Sequence, residues 1–328
     1  MIDYACFYRR AIRRENIERE LAKFDIFVSA FNASDRVRTV FDQVRAEKKF
    51  WLIHPEYLYT EVERPRNAPA ICPEGTDESV QVKALLEAIG DLTGKTVCID
   101  ITGFMRHVLA FLVAMLSHVG VREFTALYSE PDAYAKQEHT RFATTTSGGV
   151  RSIRGMGGVG AADGVSGATD GDYLVLGVGY DYKLINEVTT YKDSSTVFPL
   201  FSFPSLSADM YQQSAISAAR SGGIILSDDW TAKRRFAPAN DPFSTASVVQ
   251  EIVAEIERAS PEAEIALSPL ATKVQVLGFA LYWCLEGKNK GTVSVLLPEC
   301  LTYSRETSSG LRRLWSYTVE FFAPSVQG

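Results

Sequence analysis

Apolar residues along this chain fall alternately into short unbroken runs and into longer stretches with helical spacing. The run from Phe24 to Asn32 predicts a strand, after which Ser34 and Asp35 are N-cap candidates for a helix reaching about Arg45. Phe50 to Ile53 predicts a second strand. Beyond a Pro-rich stretch from Pro65 to Pro73, Thr76 and Asp77 can cap a helix whose Val80, Val82, Leu85, Leu86 and Ile89 suit one buried face. Thr96 to Asp100 reads as a strand, Met105 to Val119 as a helix and Glu123 to Tyr128 as another strand. Strands that alternate with helices in this way signal parallel crossover units.

The same order returns in the second half. Tyr173 to Val178 predicts a strand, Asp181 to about Tyr191 a helix and Thr196 to Phe201 a strand. A helix from Ser244 to Arg258, a strand from Glu264 to Leu267, a helix from about Thr272 to Glu286 and a strand from Val293 to Leu297 follow. Short blocks also align: Ser79 to Glu87 with Ser247 to Glu255, Ile99 to Arg106 with Ala266 to Lys273, and Leu127 to Tyr134 with Leu296 to Tyr303. The expectation is an α/β protein of two tandem Rossmann-like parallel-sheet units related by internal duplication. The first unit would span residues 1–147 and the second 172–328. Between them, residues 148–171 hold nine glycines and read as a linker or as a mobile lid.

Composition narrows the classes of function. With 328 residues, 46% hydrophobic and 23% charged, the chain has the make-up of a globular protein with ample core. A formal net charge of −6 disfavours broad nucleic-acid binding while leaving room for a local basic pocket. Cys6, Cys72, Cys98, Cys284 and Cys300 are scattered, with no metal-ligand spacing, which fits reduced thiols and a cytoplasmic location. The N-terminus mixes Arg9, Arg10, Arg13 and Arg14 with Glu15, Glu18 and Glu20 and has no apolar signal core. Val108 to Leu116 is too short an apolar run to span a bilayer, so it reads as part of a buried helix and no membrane partner is expected.

Ligands of open parallel sheets bind beyond the carboxyl ends of the strands, where helix N-termini present unpaired N–H groups. Four such corners carry a basic residue: Arg36, Arg106, Lys183 and Lys273. A cation in a first helical turn opposes the macrodipole by roughly 0.3–1 kcal/mol, and a bound anion would reverse that sign. Thr102 and Gly103 add a hydroxyl and a close-approach backbone beside Arg106, while Ser268 and Thr272 add hydroxyls beside Lys273. Arg151 and Arg154 stand in the Gly-rich stretch, placed to fold over an anion. The bland alternative is that these are solvated surface cations paired with neighbours such as Asp35 and Asp181. Gly177-Val-Gly-Tyr-Asp-Tyr182 lacks the third glycine of a dinucleotide fingerprint. His107 reads as a packed or surface histidine; Tyr134, Tyr303, Trp230, Trp283 and Trp315 read as packing residues. Walker A, HExxH and GxSxG motifs are missing, so an independent hydrolase gets little support; the motifs name no catalytic residue, and no metal or cofactor is expected.

Asp100-Ile-Thr-Gly-Phe-Met-Arg106 and Ser268-Pro-Leu-Ala-Thr-Lys273 resemble the strand-to-helix loops of CRISPR-associated Rossmann-fold (CARF) sensor domains, and two copies in one chain resemble the SAVED arrangement. That resemblance implies recognition of cyclic or linear oligonucleotide second messengers in bacterial antiviral defence, with a partner protein supplying the output. Phe24-Asp-Ile-Phe-Val-Ser29 looks like the opening strand of TIR and nucleoside-deoxyribosyltransferase folds, which would imply an enzyme cleaving N-glycosidic bonds of nucleotides or NAD, with Glu56 or Glu130 as its carboxylate. The first expectation is therefore a nucleotide-binding sensor in which Arg106 and Lys273 hold phosphates in one composite pocket. A nucleotide-cleaving enzyme and a scaffold subunit of a larger complex are the alternatives.

Overall fold

The computed structural model describes residues 1–134, 146–157, 172–207, 209–221, 232–303 and 308–321. It contains two α/β units, each with its own sheet. The first unit comprises Phe7–Thr146 and Cys300–Phe322; the second includes Met1–Cys6 and Ser147–Glu299. A linear reading keeps residues 1–6 and 300–321 with their nearer halves, whereas packing assigns each to the opposite unit. The reason is local. The Tyr4 hydroxyl donates to Glu286 Oε1 at 3.0 Å, and Gln250 Nε2 donates to the Ile2 carbonyl at 3.1 Å, which ties the first residues to the second unit. Arg313–Glu320 pairs along the whole of Glu123–Glu130 in the first.

In the first unit the strands are β1 (Arg9–Ile12), β2 (Phe24–Ala30), β3 (Ala46–Leu52), β4 (Ala70–Ile71), β5 (Val97–Asp100) and β6 (Glu123–Glu130), closed by the late strand β15 (Arg313–Glu320). Their order is β1-β15-β6-β5-β2-β3-β4. Pairing from β6 to β4 is parallel, and β15 runs antiparallel to both β6 and β1. Helices α2 (Asp35–Gln43), α3 (Glu78–Ile89) and α4 (Arg106–His118) make the crossovers, and a short turn α1 (Ile17–Glu20) precedes β2. The anticipated caps hold in part: Asp77 accepts from the N–H groups of Ser79 and Val80, while Ser34 makes no side-chain cap bond. Strand β3 begins four residues earlier than Phe50. Its opening residues Ala46 to Lys49 are half-buried or exposed, and its outer neighbour β4 pairs only through Trp51 and Leu52, so the apolar pattern registers just the covered end.

In the second unit β8 (Thr146–Ser152), β9 (Tyr173–Gly177), β10 (Thr196–Ser202), β11 (Arg235–Ala237), β12 (Ile265–Pro269) and β13 (Val293–Thr302) form a sheet ordered β11-β10-β9-β12-β13-β8. Helices α5 (Tyr182–Tyr191), α6 (Met210–Arg220), α7 (Pro242–Ala259) and α8 (Lys273–Leu285) accompany it. Strands β9 to β13 pair in parallel. Numbering each unit's five parallel strands by appearance, both sheets run 3-2-1-4-5, with two further strands beyond the fifth in the first sheet and one in the second. Strand β8 starts the Gly-rich stretch with ordered backbone, and residues 158–171 lie outside the described set. Strands β7 (Ala133–Tyr134) and β14 (Ser308–Ser309) form a small antiparallel pair in the first unit.

Alpha-helix α8 is buried on nearly all sides, with Val274 to Cys284 inaccessible, and it packs on α7 through Gly278. A Cβ at that position would collide with the Pro242 carbonyl and the Thr245 side chain. On an exposed helix Gly→Ala is stabilising by about 1 kcal/mol. Here the sign should invert: Gly278→Ala is expected to lower stability by about 1–3 kcal/mol through overpacking. Urea unfolding followed by circular dichroism checks this, and a raised midpoint would show slack between α7 and α8.

Candidate functional site

Both sheets reverse strand order between their first and fourth strands, and the loops leaving those strands meet backbone to backbone. In the first unit a Cβ on Gly103 would strike the Ala30 carbonyl oxygen; in the second a Cβ on Gly179 would strike that of Leu270. Glycine at each contact lets the carboxyl edge of the sheet close over itself. The candidate residues from sequence are distributed around these two edges.

A buried polar layer lies along the first edge. Ser29, paired in register with Asp100, donates its hydroxyl to Asp100 Oδ2 at 3.0 Å, and the Thr102 N–H donates to Oδ1 at 3.1 Å. Thr102 Oγ1 accepts from the Ser129 N–H at 2.9 Å, and Arg36 Nη1 donates to the Ser129 carbonyl. Thus Thr102 and Arg36, chosen independently from sequence, meet at Ser129. Burial pushes the Asp100 carboxyl above its ordinary range, against the opposing hydrogen bonds of Thr102 and Ser29 and the charge of Arg36.

On the other side of β2 a second layer crosses from the end of β3 to the helix after β5. The Met105 N–H donates to His54 Nε2 at 3.2 Å, and His54 Nδ1 lies 2.6 Å from Gln81 Oε1. A backbone N–H can only donate, so Nε2 carries the lone pair and Nδ1–H donates to Gln81. Gln81 Nε2 in turn donates to Glu56 Oε1 at 2.9 Å. His107 Nε2 lies 3.3 Å from Glu56 Oε1 and 3.1 Å from the Thr76 carbonyl, two acceptors that require it to carry a proton. Burial pushes the Glu56 carboxyl up, but the His107 hydrogen bond opposes it, and the carboxyl is held below its ordinary range. His107 is therefore a buried network member. The other carboxylate candidate, Glu130, is also buried; it accepts from Trp315 Nε1 at 2.7 Å and is paired with Arg312 and Arg313.

The second edge has a smaller bridge in the corresponding place. Ser202, at the end of β10, donates to Gln275 Oε1 at 2.7 Å, so the second strand is again linked across the first to the helix after the fourth. Ser268 Oγ and Gln275 Nε2 are buried without a hydrogen-bond partner among the described residues. Thr272 caps α8, accepting from the Gln275 N–H at 3.2 Å and donating to the Ala239 carbonyl at 2.9 Å.

Among the cations, Arg106 and Lys273 are each the first residue of the helix after the fourth parallel strand, both half-buried, and neither first turn holds an acidic residue. No side chain caps α4. Lys183 is exposed on α5, whose first turn is capped by Asp181. Arg151 lies half-buried in β8, and Arg154 is exposed just after it. Trp230 and the centre of the Gly-rich stretch fall outside the described residues, as does the side chain of Tyr134. Sequence reasoning passed over His54, Gln81, Ser29, Ser129, Ser202 and Gln275; the strand-end residues among them left one signal, a polar residue where an apolar strand run ends. No group of three or more His, Cys, Asp or Glu among the described residues could hold a metal ion, and no described helix is long and apolar enough to cross a membrane. No protein-family model matches the chain, and no curated protein matches it significantly.

The two buried carboxylates predict opposite pH responses. Glu56→Gln sets an amide donor against Gln81 and His107 and should lower stability by roughly 1–3 kcal/mol near neutral pH. Because the folded Glu56 value is depressed, its contribution is present above about pH 4.3, its unfolded value, and fades as pH falls through the folded value, so the gap to wild type should narrow on acidification. Asp100 has the reverse sign. Its folded value is raised, so the charged form burdens the fold at neutral pH and the burden lifts as pH falls. Asp100→Asn should match or exceed wild-type stability near pH 7 and lose that advantage toward about pH 4. Thermal midpoints across this range test both, and pH profiles parallel to wild type would contradict them.

Proposed function

We propose that this chain is a sensor that binds a phosphate-bearing small molecule, a nucleotide or an oligonucleotide second messenger, at the carboxyl edges of its parallel sheets. The observation that carries this reading is that the helix after the fourth strand opens with a cation in both units, Arg106 and Lys273, with no acidic residue in either first turn. Isolated, that placement is mildly unfavourable against the helix macrodipole; beside a bound phosphate it becomes favourable. The shared 3-2-1-4-5 strand order supports reading the units as duplicated copies, each offering one such corner. The resemblance to CARF and SAVED sensors points the same way, toward antiviral signalling in the cytoplasm with output supplied by a partner. Thr102, Gly103, Ser268 and Thr272 take a supporting part in this scheme. They are buried or already hydrogen-bonded, and they shape the loops that carry the cations.

A second reading, an interaction subunit, is favoured by one observation. Phe203 and Phe236 are 55% and 45% exposed, and with Tyr211 they form an aromatic cluster with ring centroids 5.8–6.2 Å apart. Such a group is commoner at protein contacts than on free surface.

Thermal unfolding of the full chain against mono-, di- and cyclic oligonucleotides separates the two. A ligand at a hundred times its dissociation constant should stabilise the binding unit by about 2.7 kcal/mol. Arg106→Ala combined with Lys273→Ala should weaken binding tenfold or more, since a hydrogen bond to a charged group contributes roughly 1.5–3 kcal/mol. If no nucleotide shifts the midpoint, the sensor reading fails and the interaction reading gains.

A further inference from the structure

We infer that the N-terminus of α2 in the first unit is a binding site for a phosphate group, built by Ser34, Arg36 and Ser129. Ser34 occupies the N-cap with φ −65° and ψ 130°, backbone geometry suited to capping, yet its side chain makes no cap hydrogen bond. Its carbonyl accepts from Val37 and Arg38 at 3.2 and 3.4 Å, while its Oγ is buried with no partner among the described residues. A serine in this position ordinarily turns its oxygen onto the first-turn N–H groups. Here the hydroxyl and those donors stand unsatisfied by each other.

Two further buried donors are linked to this helix start through the Arg36 side chain. Arg36, only 7% exposed, reaches across the carboxyl edge from α2 to β6, where Nη1 meets the Ser129 carbonyl, and its Nε–H has no acceptor among the described residues. Ser129 is fully buried; its N–H and carbonyl are taken by Thr102 and Arg36, and its Oγ has no partner among the described residues. Three unpartnered groups on an arginine-bridged edge is an unusual concentration, because buried polar atoms are nearly always hydrogen-bonded. All three can donate. An oxyanion with several acceptor oxygens satisfies them together with the helix N-terminus, and a guanidinium recognises phosphate oxygens with good geometry.

The neighbouring acids do not fill this role. Both Asp100 oxygens are taken, by the Ser29 hydroxyl and the Thr102 N–H, and Asp35 is exposed in the first turn of α2. Ala33 and Ser34 are half-buried, and Asp35 beside them is exposed. The donors are the same for free phosphate and for a phosphate monoester, so two probes distinguish them. None of the residues belongs to the Arg106 and Lys273 corners, and the site stands or falls separately from the proposed function.

The test is calorimetric titration of the full chain with inorganic phosphate and with adenosine 5′-monophosphate, in the wild type and in Ser34→Ala and Ser129→Ala. Neither hydroxyl makes a hydrogen bond among the described residues, so both variants should keep unliganded unfolding midpoints at or above the wild-type value. Binding of at least one probe should weaken about tenfold in each, the effect of one charge-assisted hydrogen bond. Free phosphate binding as well as the monoester would mark an ion site; tighter monoester binding would mark the phosphate end of a larger ligand. Either result, with the serine dependence, supports the inference. It is overturned if neither probe binds, if both serine variants bind as the wild type does, or if the variants lower the unliganded midpoint. A nucleotide response that is lost in Arg106→Ala/Lys273→Ala but intact in the serine variants would remove this site and leave the proposed function standing.

Discussion

The contact between the loops that leave the first and fourth strands of each sheet governs what else can be built there. Where a parallel sheet reverses its order, neighbouring chains depart to opposite sides and a crevice opens between them. In this protein Gly103 against Ala30 and Gly179 against Leu270 draw the two loops together at the main chain. A side chain at either glycine would force the loops apart. With the crevice narrowed, polar groups at the strand ends lie close enough to reach one another across the first strand, and the bridges His54–Met105 and Ser202–Gln275 follow from that proximity.

Closure has an electrostatic consequence. Asp100 and Glu56 are both withdrawn from water at the same sheet edge, yet burial prevails at one and hydrogen bonding at the other. Asp100 has only hydroxyl and amide partners, with Arg36 acting through space, and desolvation dominates. Glu56 is contacted by an imidazole and an amide, with a second imidazole behind the amide, and ionisation is favoured. Identical functional groups a few strands apart therefore differ in character because of what each finds beside it. Keeping a carboxylate in an unfavourable place is a stability sacrifice, and such sacrifices concentrate where a protein does something other than fold.

Much of the architecture was legible in the order of apolar runs. The strands at Phe24, Thr96, Tyr173, Thr196 and Val293 are buried on both faces, so their residues read as unbroken hydrophobic stretches. Elements that escaped notice lack that signature. Strands β4 and β11 have two and three residues, and in α6 Gln212, Gln213, Ser214 and Ser217 interrupt the apolar positions. The positions of Arg106 and Lys273 were readable because a helix start is set by local chemistry, and aligning the halves placed both at the same step. The buried network was not readable, since His54, Glu56, Gln81 and His107 come from separate segments and only the crossover topology brings them together. Likewise Ser34 reads as an ordinary cap; its idle hydroxyl is visible only in three dimensions.

The chain passes between the two units at residues 6/7, 146/147 and 299/300, and β15 sits inside the first sheet between β1 and β6. That position has a consequence for how the molecule is born. On the ribosome, the strands from β1 to β6 emerge long before Arg313–Glu320, so β1 has no neighbour and β6 keeps an open edge while the second unit is being translated. The first sheet can be completed only after the second unit has been translated, and in the interval the nascent protein must shield that edge from any other strand that would take its place.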